Sequence, residues 1–250
     1  MTGAMTAAEL LAVWERGRGQ SGTARALLLL AAATPDAGPE ALARLSVGRR
    51  DGLLLTLRER LFGSRMTGLA ACPQCRQPLE LTFEAAEIRA GARGEQPETL
   101  AVEAGGCEAQ FRLPNSEDLA ALAAVGGDGR PGEMLLSRCL LRVTRAGREE
   151  PVDAAHDLPP ALIEAIAARM EEADPQANVQ LDLTCESCGH RWLAAFDIVA
   201  YLWGEIDDWA RRTLREVHLL ASAYGWRESD ILALGAERRQ LYLEMIGRVA

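Results

Sequence analysis

Val179-Gln-Leu-Asp-Leu-Thr-Cys185-Glu-Ser-Cys188-Gly-His-Arg-Trp192 decides how the rest of this chain must fold. Val179 to Leu183 alternates apolar and polar residues, the pattern of a half-buried strand. The strand runs directly into two cysteines separated by two residues. Gly189 follows them, where such a turn often needs a left-handed backbone. A similar unit lies far upstream: Cys72-Pro-Gln-Cys75, then Leu79, Leu81 and Phe83 alternating with polar residues. Pro73 suits that turn, and Arg76 stands where the second turn has glycine. A CxxC turn offers two thiolates from one tight loop, and two such turns beside strands make a zinc ribbon, because Zn2+ takes four soft ligands in a tetrahedron. The expected ligands are Cys72, Cys75, Cys185 and Cys188, with His190 as an alternative to one of them. A site closed by four protein groups has no open position for a reacting water, so the expected zinc is structural.

Working outward, the two pairs are separated by the whole stretch Arg76–Thr184, whereas ribbon pairs usually lie about 15–20 residues apart. An inserted module must therefore carry the chain away and return it. A redox dithiol is the competing reading of CxxC, but the thioredoxin-like βαβ context is missing. Cys107 and Cys139 stand alone and read as small buried apolar groups.

The flanks read as helices. Ala8 to Trp14, Arg25 to Ala33, a start at Pro39, and Asp51 to Phe62 with Leu54, Leu57 and Leu61 precede the first pair. Inside the insertion, Leu100 to Glu103 and Cys107 to Leu113 read as strands. Asn115 or Ser116 caps a helix from Glu117 to Val125, and Glu133 to Leu141 and Pro160 to Glu172 are helical. Beyond the second pair, Asp197 caps a long helix whose apolar stripe includes Val199, Leu202, Ile206, Trp209, Val217, Leu220 and Tyr224, and Gly225 stops it. Short helices around Ile231 and from Ala236 to Ile246 follow. The expectation is an α+β protein: helical N- and C-terminal parts (1–68 and 197–250) around a four-cysteine ribbon (69–84 with 179–196) that carries an inserted β-hairpin and helical module (85–178).

Composition narrows the function. The net charge is −9, which disfavours a nonspecific nucleic-acid binder, since such proteins need excess positive charge. All 27 basic residues are arginine. The longest apolar run, Ala26 to Ala33, is far short of the roughly 20 residues that span a bilayer, and Met1 to Leu11 lacks a signal-peptide pattern. The expected location is the cytoplasm, where cysteines stay reduced; no membrane or small-molecule substrate is expected. No GxSxG, Walker loop or HExxH occurs, so no enzyme activity is expected. His156, beside Asp153 and Asp157, reads as a solvated loop, and His218 as a helix-surface residue. Glu171, Glu172 and Asp174 read as a solvated helix end. Arg44, Arg49, Arg50, Arg58, Arg60 and Arg65 read as a solvated basic face. Trp192, Trp203, Trp209 and Trp226, with Tyr201, Tyr224 and Tyr242, place aromatic weight in the last quarter, chiefly as core and also as a candidate interface.

One resemblance covers most of the chain. It rests on Leu11-Ala-Val-Trp14-Glu-Arg, Gly48-Arg-Arg-Asp51, Leu57-Arg-Glu-Arg60-Leu-Phe-Gly63, Phe111-Arg-Leu-Pro114, the run from Arg215 through Tyr224-Gly225-Trp226 to Leu234, and Glu237-Arg-Arg239-Gln-Leu-Tyr242. These segments resemble the baseplate hub assembly chaperone family of contractile-tailed phages and phage tail-like contractile injection systems, some members of which carry zinc knuckles. The resemblance implies a non-catalytic baseplate component or assembly factor in a bacterial host, with other baseplate, hub or tail proteins as partners, either free in the cytoplasm or built into the particle. A zinc-ribbon nucleic-acid or transcription-associated protein is the alternative, which a basic face near the knuckles would favour.

Overall fold

Gly63 and Gly225 mark where the chain changes course, and both adopt positive φ, 86° and 68°. Each lets the backbone leave a helix in a conformation that a Cβ disfavours. The computed structural model describes residues 5–90, 97–125, 130–150 and 158–247. The chain divides into two units, residues 37–198 and residues 1–36 with 199–250. It is an α+β protein, as expected.

The first unit carries every strand among the described residues. Helices α3 (Pro39–Ala43) and α4 (Val47–Phe62) lead into β1 (Arg65–Ala71) and β2 (Pro78–Glu84), an antiparallel hairpin in register from Arg65↔Glu84 to Ala71↔Pro78. The stretch between the two hairpins follows: β3 (Leu100–Ala104), β4 (Cys107–Phe111), α5 (Ser116–Val125), α6 (Pro131–Cys139), β5 (Leu140–Arg145), β6 (Arg148–Glu150) and α7 (Pro160–Ala173). Its strands form one antiparallel sheet in the order β3-β4-β5-β6. Leu162 and Ile166 of α7 join Leu100, Phe111 and Val143 of the sheet in one buried cluster. The expected hairpin is thus half of a four-stranded sheet: Leu140 and Leu141, expected to end a helix, begin β5. A second hairpin, β7 (Gln180–Thr184) with β8 (Arg191–Ala195), closes the unit.

The second unit is helical. It contains α1 (Ala7–Gly17), α2 (Gly22–Ala33), α8 (Ile198–Tyr224), α9 (Glu228–Leu232) and α10 (Ala236–Gly247). A Thr6–Glu9 capping box starts α1. Gly17 lies so close to Trp203 that an added Cβ would meet the indole at 2.3 Å, so the α1–α8 approach requires glycine there. Trp14 donates its indole N–H to Asp207 at 2.8 Å, and the Arg25 guanidinium sits 4.5 Å from the Trp203 ring centroid. Leu202, Ile206 and Leu220 of the expected stripe are fully buried, but Trp209 is half-buried and Tyr224 exposed, while Trp203, Ala210 and Thr213 are buried instead. Val217, Leu220 and Ile231 form a small core with Trp226, Tyr242 and Leu243. No described helix is long and apolar enough to cross a membrane.

Candidate metal centre

Both CxxC sequences are the tips of hairpins. Sequence reasoning placed a strand after the first and before the second; the structure adds β1 before the first and β8 after the second. The two turns repeat the same backbone pattern. The Cys72 N–H donates to the Gln77 carbonyl at 3.0 Å, and the Arg76 N–H to the Cys72 carbonyl at 2.9 Å. The Cys185 N–H donates to the His190 carbonyl at 2.8 Å, and the Gly189 N–H to the Cys185 carbonyl at 2.8 Å. Arg76 and Gly189 occupy equivalent positions with φ of 64° and 72°. The knuckle therefore forces a left-handed backbone on an arginine.

The two tips meet. The thiols of Cys72, Cys75, Cys185 and Cys188 all lie within 4.8 Å of one another. Cys72 Sγ is 3.7 Å from Cys188 Sγ, and Cys75 Sγ is 3.6 Å from Cys185 Sγ. Zn–S bonds of about 2.3 Å in a tetrahedron put sulfurs about 3.8 Å apart, so this donor set and spacing fit a tetrahedral metal ion. In each pair the first cysteine is buried and the second exposed. His190 stacks on Trp192, with centroids 5.8 Å apart, and is not one of the clustered groups. Burial works to raise the Cys72 thiol, but the backbone N–H groups of Cys75 and Gln74 and the neighbouring thiols hold it down at about 7. At Cys188 the His190 N–H works downward, yet burial and the other three thiols push it up to about 12. One sulfur ionises readily and another resists, because a second thiolate charge at this distance is repelled unless a cation joins them.

A second polar cluster lies in the same unit, and sequence reasoning misread it. Asp174, expected on a solvated helix end, is buried and accepts the Gly48 N–H at 2.8 Å, at the N-terminus of α4. Arg50 and Arg58, expected on a solvated face, are also buried. Arg50 pairs with Asp51 at 2.7 Å, and Arg58 donates to the Gly63 carbonyl at 2.7 Å. The Val47 N–H donates to the Pro114 carbonyl at 3.0 Å. Nearby, the Asp118 side chain is wholly buried, clamped by Arg112 at 2.6 and 2.9 Å and by Arg138 at 2.9 Å. Asn115 and Asp118 cap α5 reciprocally.

The family description "T4 bacteriophage base plate protein" matches residues 17–203 of this chain. The chain belongs to that phage base plate family. No curated protein and no solved structure matches it. The matched span of this base plate protein takes in both CxxC turns and the polar cluster. Three of the resembling segments, Gly48 to Asp51, Leu57 to Gly63 and Phe111 to Pro114, supply most of that cluster. Each buried charge named here has a partner, and Gly48, Arg49 and Asp174 also line a cavity of about 610 Å3. Cys107 accepts from the Arg145 guanidinium at 3.3 Å, and burial pushes the Cys139 thiol up to about 11; both are buried, as expected. His218 is exposed. His156, Asp153 and Asp157 lie outside the described residues.

Proposed function

We propose that this chain is a non-catalytic structural component or assembly factor of the baseplate or hub of a contractile phage tail or tail-like injection system, and that Cys72, Cys75, Cys185 and Cys188 hold one structural zinc. The observation that carries the role is the family match over residues 17–203. The clustering of four thiols from two hairpins supports the metal. A bound Zn2+ would link the four sulfurs as thiolates and so tie together the tips of two hairpins 116 residues apart in sequence. With all four ligands from protein, no position is left for substrate, and the ion serves placement. The other baseplate, hub or tail proteins are the partners. The net charge of −9 argues against nucleic acid as a partner.

The role is tested by co-expressing the affinity-tagged chain with baseplate, hub and other tail proteins of a contractile particle and identifying what co-purifies. Baseplate or hub proteins in stable ratio to the chain are expected. A chain that ignores every tail protein while binding DNA or RNA would overturn the reading in favour of the zinc-ribbon nucleic-acid alternative.

A further inference from the structure

Among the described residues each metal-centre hairpin is a two-stranded sheet with both outer edges unpaired, and one edge of each, on β2 and on β7, lines the same groove. In the two-stranded sheets β1-β2 and β7-β8, β2 and β7 each have one bonded neighbour. Among the described residues no backbone hydrogen bond joins β2 to β7. Between them runs a cavity of about 620 Å3, walled by residues 80–83 of β2 and 179–183 at β7 and closed at one end by residues 87–90 and Pro175. A second cavity of about 510 Å3 continues along the same two strands to the Cys185 knuckle, over Gln77–Leu81 and Asp182–Ser187. The two share Glu80, Leu81, Asp182 and Leu183, so they form one trough.

The lining shows how the strands face it. Side chains alternate across a strand, so a cavity on a sheet face touches every second residue. Here consecutive residues of both strands line the trough, and no residue of β1 or β8 does. The backbone edges, with their unpaired N–H and C=O groups, therefore face the trough. The order of the lining residues makes β2 and β7 antiparallel to each other across it.

The trough is also acidic. Asp182 pairs with Arg191, Arg89 pairs with Glu59, and Glu87 accepts the Glu84 N–H at 3.0 Å. Glu80 and Glu186 are exposed and have no partner among the described residues. Arg89, already paired, is the only basic residue in the lining among the described residues.

We propose that this trough is a strand-insertion slot, and that its occupant is an extended basic segment of another baseplate protein. The inserted strand would bond to β2 on one side and β7 on the other and merge the two hairpins into one five-stranded sheet. Main-chain bonds to both edges would supply affinity, and the carboxylates of Glu80 and Glu186 would select basic side chains. The proposal rests on the baseplate reading for the source of the strand; the groove and its charge stand without it.

The test uses the full chain and two end-blocked octapeptides, one alternating arginine with valine and one alternating glutamate with valine. Hydrogen exchange locates the contact, and fluorescence titration measures affinity. The arginine peptide should slow exchange in both Pro78–Glu84 and Gln180–Thr184, and the glutamate peptide should slow neither. Glu80→Arg, an exposed change that keeps the thermal midpoint, should weaken the arginine peptide by about tenfold, the worth of one charge-assisted contact. Protection elsewhere, protection of one strand only, or equal response to both peptides would overturn the proposal. Protection of both strands that rises with protein concentration and no peptide would place a second copy in the slot, and also overturns it. Capture of baseplate proteins with β2 and β7 still unprotected would remove the slot and leave the baseplate role standing.

Discussion

Arg76 and Gly189 occupy the same place in two copies of one turn, yet only one of them suits it. A left-handed backbone costs a residue with a Cβ about 1–2 kcal/mol, and glycine gives part of that back as unfolded-state entropy. Arg76→Gly should therefore stabilise the metal-loaded protein by about 0.5–1 kcal/mol, read as a higher urea midpoint at unchanged slope; a lower midpoint would show that the arginine side chain earns its place by another contact. Gly48 presents the opposite case. A Cβ there would meet the Asp174 carboxylate at 2.2 Å and the Ala177 backbone nitrogen at 2.8 Å. The carboxylate could turn aside only by giving up the Gly48 N–H, and the backbone nitrogen cannot turn aside at all. Gly48→Ala should cost about 2 kcal/mol, measured the same way. The sequence exposed the first of these positions, because a CxxC turn has a known shape. It hid the second, because Asp174 lies 126 residues away and its carboxylate reads as surface until the partner is seen.

At the scale of elements, a buried carboxylate clamped by Arg112 before α5 and Arg138 of α6 governs the response to acid. Burial works to raise the Asp118 carboxyl, but Arg112, the Asn115 N–H and Arg138 hold it below its ordinary value of 3.8. A depressed carboxyl stabilises the fold at pH above the ordinary value and loses that contribution as pH falls through the lowered one. Stability should thus decline below about pH 4, and Asp118→Asn should lower stability at pH 7 and flatten this decline, followed by chemical denaturation at each pH. An equally steep acid limb in the variant would assign it to other groups. Helices were legible in the sequence because periodicity, Pro39, Pro160 and Gly225 mark them locally. Strands β1, β5, β6 and β8 were not: Arg65–Ala71 and Arg191–Ala195 carry Gly68 and several alanines, which favour strands poorly, Leu140-Leu141 continues a helical run, and Arg148–Glu150 is a short run of charged residues. Arg50 and Arg58 looked solvated because an arginine-rich helix is scored by residue type, whereas Asp51 and the Gly63 carbonyl make burial affordable here.

For the whole molecule, the informative feature was the longest-range one. The four cysteines were legible without any knowledge of what lies between them, since CxxC beside a strand carries its own chemistry. The sheet between the hairpins was only half legible, and the trough between β2 and β7 not at all, because an unpaired edge is a property of what a strand fails to meet. The family match supports the phage baseplate part of the resemblance and takes in Gly48, Arg58 and Phe111; these, with Trp14 and Arg239 outside the matched span, are packing and hydrogen-bonding positions. The central claim is that two cysteine pairs far apart in sequence hold one structural zinc, and elemental analysis of the purified chain, wild type beside Cys185→Ser, tests it most directly. One zinc per chain in the wild type, lost in the variant together with thermal stability, is the predicted result; folded wild-type protein without metal, its thiols freely titratable, would contradict it.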